Sequence, residues 1–263
     1  MSRLLVAMAL LYHFYEVLAI TGSVDYFSNS MKDSFLNRKF TYTYSNACMY
    51  IIIANVLVFF LTQFTNISYM GLSLQGWLSL IPSLVNKGFV WQLFTYMFVH
   101  QNYMHLFFNM FALLMFGRSL EQYLGTREFL LFYFVCGFLA GVISYLIYVI
   151  QGVPEFFFEG GNIYYYVTQG VPVLIMGASG CVYALLLLCA VFFPNARVLF
   201  FFVIPMKMPF AVMIYAAIEI FSQVYGINDG VAHLVHLSGF AIAWLYVVIR
   251  FRMNPIRIWK ENL

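Results

Sequence analysis

The sequence predicts an all-α polytopic membrane protein, and its composition, its long apolar runs and the placement of its few charges support this class. Of the 263 residues, 63% are hydrophobic and only 9% are charged, and the mean hydropathy is +0.86. A soluble domain carries roughly 25% charged residues, so a water-soluble protein is excluded. A disordered chain is also excluded, because disorder requires low hydrophobicity. A transmembrane barrel would show alternating segments of about ten residues, whereas these runs are continuous.

Six apolar segments are long enough for membrane-spanning helices, which need about 20 residues each. They cover residues 47–64, 103–120, 128–150, 172–193, 207–225 and 231–250. A weaker apolar stretch, 4–20, is interrupted by His13 and Glu16. A seventh helix with its N-terminus outside fits the charges, while a cleaved signal peptide, a helix lying on the membrane and an unused upstream start stay open. We therefore expect an N-terminal segment (1–46), a membrane domain (47–250) and a cytoplasmic tail (251–263).

The basic residues predict the orientation, because Lys and Arg are enriched in cytoplasmic loops. With six spans, the loops on the opposite side hold only Lys87, and Arg3 precedes the uncertain stretch. The other eleven all fall on one side: Lys32, Arg38, Lys39, Arg118, Arg127, Arg197, Lys207, Arg250, Arg252, Arg257 and Lys260. This asymmetry places 21–46 and the C-terminus in the cytoplasm. The short loops and the lack of further domains predict a bacterial inner membrane.

Three loops are apolar enough to favour the membrane interface over water. Residues 65–102 and 151–171 face outside in this topology and are rich in Trp and Tyr, which prefer the headgroup level. On the inner side, the apolar run 199–204 within 194–209 is too short to span, so we expect it to lie on the membrane.

Several polar side chains fall at one depth, in the outer third of the predicted bilayer. His105 and Asn109 share one face of the second span, at spacing i, i+4. Ser179 lies in the fourth span, with Tyr183 one turn further on, and His236 lies in the sixth. Polar groups inside a membrane are costly and usually functional. Three helices therefore bring candidate reactive groups to the same level.

These residue types are suited to acyl transfer. A serine hydroxyl becomes a nucleophile when a base, usually histidine, removes its proton, so Ser179 and His236 form a candidate dyad. His105 and Asn109 are candidate donors for the developing oxyanion. Gly177 and Gly180 flank the serine and permit close backbone approach.

Three motifs resemble those of the rhomboid intramembrane serine proteases, and the resemblance runs from about Ala47 to Arg250. The motifs are Gly177-Ala178-Ser179-Gly180 with Tyr183, His236-x-x-Gly239, and His105-x-x-x-Asn109. The resemblance implies a six-helix bundle whose central helix carries the serine, and cleavage of membrane-anchored substrates near the outer face. It also implies Ser179 as nucleophile, His236 as base, Tyr183 packed on the His236 ring, and His105 and Asn109 in the oxyanion hole.

The chain departs from the family pattern at two positions. Gln92 stands where the family usually has Arg, which predicts weaker anchoring of the first outer loop. Val235 stands where the family often has Ala before the catalytic His. His233 offers a competing frame, but only His236 has Gly three residues later, where a small residue allows close helix contact. We expect His233 to face a cavity nearer the surface, and His100 to lie at the interface.

Glu219 is a charge in the fifth span at the depth of the dyad. A Ser-His-acid triad is one interpretation. The simpler one, which we adopt from the sequence, is that Glu219 faces a water cavity or hydrogen-bonds a neighbouring helix.

The sequence favours a protease that acts on transmembrane protein substrates within the lipid bilayer, with no cofactor, no metal and no nucleic-acid partner. A non-catalytic rhomboid-like protein that binds transmembrane helices is the alternative. A transporter is disfavoured, because no repeated halves are evident. The four cysteines, in no CxxC spacing, are expected to be small buried hydrophobes.

Overall fold

The structure is a computed structural model that describes residues 40–152, 156–159, 162–165, 174–200, 203–226 and 232–262. The stretch 4–20, most of the segment 1–46 and parts of the loop 151–171 lie outside the described residues. Eleven α-helices are present in the described parts. They are α1 Ala47–Phe64, α2 Leu74–Leu78, α3 Pro82–Val85, α4 Gln92–Thr95, α5 Tyr103–Ala112, α6 Arg118–Leu124, α7 Thr126–Gln151, α8 Ser179–Phe192, α9 Met208–Val224, α10 His233–Arg250 and α11 Pro255–Asn262.

Three two-stranded antiparallel hairpins lie in the loops between the long helices. The strands are β1 Ser68–Tyr69, β2 Leu72–Ser73, β3 Phe156–Glu159, β4 Asn162–Tyr165, β5 Arg197–Phe200 and β6 Ile204–Lys207. Within the run 199–204, Leu199 and Phe200 belong to β5 and Ile204 begins β6, and Leu199 pairs with Pro205. That this run lies on the membrane stays a prediction.

The fold class is confirmed: the chain is an integral, polytopic membrane protein built from helices. Among the described residues, α1, α7 and α10 are long and apolar enough to cross a membrane by length and composition. The apolar helices α8 and α9 are shorter, with 14 and 17 residues. A π-helical stretch, Leu113–Gly117, joins α5 to α6. These segments correspond to the six apolar runs of the sequence.

The fourth segment differs from the sequence prediction, because its helix begins at Ser179 and not near residue 172. Gly177 has φ +121, a conformation that only glycine adopts easily and that cannot belong to a right-handed helix. Just before it, Ile175 pairs with Leu80 of the first loop in an isolated β-bridge. Leu174–Ala178 is therefore non-helical, and Ser179 is the first residue of α8.

Helix α8 forms the centre of the bundle. Nearly every residue from Gly180 to Val191 is buried, and the core around it includes residues of α7 and α10. Gly137 of α7 meets Cys181 of α8 so closely that an added Cβ would overlap the sulfur. Small residues at such contacts allow helices to pack tightly in a membrane. The four cysteines are free and buried, as the sequence predicted.

The loop 65–102 is held by Gln92, which stands where the family usually has Arg, and the weaker anchoring expected from that exchange stays a prediction. The Gln92 side chain is fully buried. Its carbonyl oxygen accepts the Ile81 N–H at 3.0 Å, and its amide donates to the carbonyls of Gly76 and Trp77 at 3.2 Å each. A neutral amide thus provides an acceptor that a guanidinium lacks.

His100 is fully buried and does not lie at the interface as the sequence suggested. Within the described parts of the chain, neither ring nitrogen has a hydrogen-bond partner. Its ring lies edge-on to the His105 ring, with centroids 5.1 Å apart. Burial, reinforced by the charge that His105 can carry, lowers the pKa of His100 to about 3.

We expect His100→Leu to reduce acid sensitivity. Since the folded-state pKa lies below the unfolded value of about 6.5, the unfolded chain binds more protons between pH 6.5 and 3, and stability falls as pH falls through that window. At pH 5 the loss is about 2 kcal/mol. Thermal unfolding in detergent at pH 7 and pH 5 measures it. An equal drop in Tm for wild type and variant would contradict the expectation.

Candidate active site

Ser179 is the first residue of α8 and follows a turn that is fixed by a backbone hydrogen bond. The Gly177 N–H donates to the Tyr96 carbonyl at 2.9 Å, which fixes the turn before Ser179. The first amides of a helix have no partner within it and carry partial positive charge. The Ser179 hydroxyl therefore sits beside backbone N–H groups suited to a developing negative charge.

The glycines bring α8 and α10 into backbone contact. A Cβ on Gly239 of α10 would overlap the carbonyl oxygen of Gly180. A Cβ on Gly180 would come within 2.9 Å of the Val235 side chain. Both positions therefore require glycine for the observed separation, and Gly239 lies three residues after His236.

At this contact His236 meets Ser179. The His236 Nε2 atom lies 2.8 Å from the Ser179 Oγ atom, a normal hydrogen-bond length. His236 is 7% exposed. The Tyr183 ring stacks on the imidazole at a centroid distance of 4.2 Å and an interplanar angle of 8°. The serine and histidine that the sequence singled out are thus adjacent, with the histidine ring held in one orientation.

His105 and Asn109 approach the same region from α5. A Cβ on Gly177 would lie 2.7 Å from His105 Nε2 and 3.8 Å from Asn109 Nδ2. The Gln101 N–H points at His105 Nδ1 at 3.5 Å, which favours the proton on Nε2. Asn109 Nδ2 donates to the His105 carbonyl at 2.9 Å. Both groups therefore present N–H donors beside the backbone that leads into Ser179.

Glu219 of α9 joins the site, which the sequence matched in depth but did not place. Its Oε1 atom lies 2.9 Å from His236 Nδ1, and its Oε2 atom lies 2.6 Å from His233 Nδ1. The Tyr183 hydroxyl donates to Oε1 as well. Glu219 is 4% exposed. The earlier interpretation holds in that Glu219 bonds neighbouring helices, but the neighbour is the candidate base itself.

His233 was expected to face a cavity nearer the surface, and the structure shows its ring against Glu219. It is buried and bonded to the far oxygen of Glu219, and it contacts Ser179 through neither ring nitrogen in the bonds found among the described residues. Of the two histidines, His236 is the one that bonds the serine hydroxyl. Glu219, His233 and His236 also form a set of potential metal ligands, with ligand atoms within 4.8 Å of one another.

Comparison with known proteins places the chain in a family. The model of the Rhomboid domain matches residues 87–253. Rhomboid-like protease 1 of Toxoplasma gondii is 35% identical over 63 residues, which is 24% of this chain and 22% of the relative. The putative rhomboid protease YdcA of Bacillus subtilis is 31% identical over 101 residues, 38% of this chain and 40% of the relative. The chain thus matches less than half the length of these relatives.

The matched region contains α5 to α10 and every residue of the candidate site described above. The helical membrane fold, the serine at the start of a buried central helix and the domain match agree with one another. The chain therefore belongs to the rhomboid family.

Proposed function

We propose that this protein is an intramembrane serine endopeptidase that cleaves single-span membrane proteins. The observation that carries the proposal is the 2.8 Å contact between His236 Nε2 and Ser179 Oγ at a glycine-mediated helix contact. Family membership and relatives named as proteases support it. The proposed substrate is a protein whose transmembrane helix unwinds to expose a peptide bond to Ser179.

In the proposed first half-reaction, Ser179 Oγ attacks the scissile carbonyl carbon while His236 Nε2 takes the hydroxyl proton. The tetrahedral oxyanion receives hydrogen bonds from N–H groups of His105, Asn109 and the start of α8. The C–N bond then breaks, and His236 returns the proton to the leaving amine. The N-terminal fragment, which carries the scissile carbonyl, stays on Ser179 as an ester.

In the second half-reaction a water molecule gives its proton to His236 and attacks the ester carbonyl. The C–O bond breaks, Ser179 regains its proton from His236, and the other product leaves as a carboxylic acid. No cofactor takes part in this proposal. Water must reach Ser179 for this step, so the site has to open to an aqueous face.

We propose that this face is the outer one and that the C-terminus is cytoplasmic. The support is the distribution of basic residues, of which eleven fall on the opposite side from the loops that lead into α5, α8 and α10. A bacterial inner membrane stays a prediction from the short loops.

A fluorophosphonate probe tests the proposal, because its phosphorus reacts with an activated serine, which displaces fluoride and becomes phosphonylated. We expect the wild-type protein to be labelled, and Ser179→Ala and His236→Ala to be unlabelled. The alternative, a rhomboid-like protein that binds transmembrane helices without cleaving them, predicts no labelling of any of the three. Equal labelling of all three would also refute the protease.

A further inference from the structure

We propose that Glu219 is a positioning residue that orients His236 and completes a Ser-His-Glu triad. The rhomboid resemblance by itself implies only the dyad of Ser179 and His236. This inference rests on the proposed function, because a triad has meaning only if Ser179 is a nucleophile. Its basis is the chain of contacts from Glu219 Oε1 to His236 Nδ1 at 2.9 Å and from His236 Nε2 to Ser179 Oγ at 2.8 Å.

The surroundings of Glu219 favour an ionised carboxylate. A buried carboxylate is costly unless hydrogen-bond donors surround it. Three groups that can donate surround it here: the hydroxyl of Tyr183 on α8 and the Nδ1 atoms of His233 and His236 on α10. This site can therefore hold Glu219 as an ionised carboxylate beside His236 Nδ1.

The charge of Glu219 determines the tautomer of neutral His236. An ionised carboxylate only accepts hydrogen bonds, so the proton of a neutral His236 lies on Nδ1, toward Glu219. Its Nε2 atom then has a free lone pair directed at the Ser179 hydroxyl. This is the tautomer that a general base requires. With the opposite tautomer, Nε2 would carry a proton and could not accept the one from serine.

Glu219 also stabilises the positive charge that develops on His236 during the proposed reaction. When His236 takes the serine proton, it becomes an imidazolium 2.9 Å from the carboxylate. In a buried site with a low effective dielectric this attraction is much stronger than in water. Glu219 thus favours the charged base in the transition state, the role that the acid of a serine-protease triad plays.

The Glu219 side chain is also held in place by its neighbours. Tyr183 contacts both Glu219 and His236, since its ring stacks on His236 and its hydroxyl donates to Glu219. His233 holds the second carboxylate oxygen at 2.6 Å. Glu219 therefore has little freedom to turn away from His236.

A metal ion is the competing occupant of these side chains. An ion bound by Glu219, His233 and His236 would use the Nδ1 lone pair of His236. The proton would then sit on Nε2, so the metal and the triad exclude each other. Activity in EDTA that equals activity in buffer is expected for the triad. A requirement for a divalent metal would overturn it.

The decisive variant is Glu219→Gln, assayed with a purified single-span substrate in detergent. We expect kcat to fall by ~10²–10⁴-fold with KM nearly unchanged, because substrate contacts stay while His236 loses its orientation and its counter-charge. Glu219→Asp keeps the carboxylate and should recover at least about tenfold of that loss. A purely structural role would lower Tm without this selective effect on kcat.

Glu128→Gln is the matched control. Glu128 is also a buried carboxylate, bonded to Tyr246 at 2.6 Å and to Arg250 at 2.8 Å. Arg250 lies fourteen residues after His236 on α10, roughly 21 Å along the helix. We expect this variant to lose stability and keep kcat within about threefold of wild type.

Histidine tautomers in the wild-type protein provide a measurement that does not depend on how the variants fold. With ¹⁵N-labelled histidine, NMR identifies which ring nitrogen carries the proton. The triad requires Nδ1–H in neutral His236, and Nε2–H would overturn it. If wild type is active and Glu219→Gln keeps kcat within threefold, the triad fails while the protease stands. If wild type neither cleaves substrate nor labels with the probe, the protease itself fails, and the triad with it.

Discussion

Cleavage of a single-span substrate is expected to fall by at least ~10⁴-fold in Ser179→Ala, in His236→Ala and in the double variant alike. The reason is that nucleophile and base act as one unit across the 2.8 Å contact, so removing either abolishes the same step. Initial rates in proteoliposomes measure the effect. Equal losses in the three variants distinguish a catalytic pair from two residues that contribute separately.

Ser144→Ala is a suitable control for this series. Ser144 is a fully buried serine of α7 whose hydroxyl donates to the Ala140 carbonyl of its own helix. The cleavage rate of Ser144→Ala is expected to stay within a few-fold of the wild-type rate. If the double variant loses the product of the two single losses, or if Ser179→Ala keeps more than about 1% of the rate, the proposed chemistry is wrong.

The second large effect is expected at Gly239. Even Gly239→Ala places a Cβ against the Gly180 carbonyl, and backbone cannot give way as a flexible side chain can. α8 and α10 must then separate, which lengthens the contact between Ser179 and His236. We expect Gly239→Ala to lower kcat at least 100-fold, because a misplacement of about 1 Å can cost this much. The larger substitution Gly239→Leu should also lower Tm, since overpacking costs about 1–3 kcal/mol.

Ala241→Leu tests whether added bulk alone is harmful. Ala241 lies two residues further along α10 on an exposed face of the described bundle. The larger side chain there points away from α8, so rate and Tm are expected to stay close to wild type. A Gly239→Ala protein with normal activity would show that the close backbone contact is not needed to hold His236 at Ser179.

The fold class followed from composition because a membrane leaves few solutions. Backbone groups in lipid must be satisfied within the chain, so long apolar runs become helices. The helix α1 matches its predicted bounds 47–64, and α9 and α10 begin within two residues of theirs. The predicted start of the fourth segment was wrong, because hydropathy does not report backbone conformation. Gly177 with φ +121 and the bridge between Leu80 and Ile175 keep the chain non-helical up to Ala178.

Spacing predicted part of the site for a similar reason. His105 with Asn109, and Ser179 with Tyr183, are one turn apart, and helical geometry alone puts each pair on one face. Gln92 and His100 were placed less well, because both lie in the segment 65–102, whose contacts come from residues far away along the chain. Gln92 is buried against Gly76 and Trp77, and His100 is buried beside His105.

The sequence by itself determined that this is a helical membrane protein, and it singled out a few polar residues at one predicted depth. It did not determine which way each helix faces, because depth follows from position along a helix whereas facing depends on how helices pack. Only the tertiary structure decided that Glu219 of α9 points at His236. The glycine contact between α8 and α10 brings the imidazole to the serine hydroxyl, and the packing of α9 adds the carboxylate on the other side of the ring.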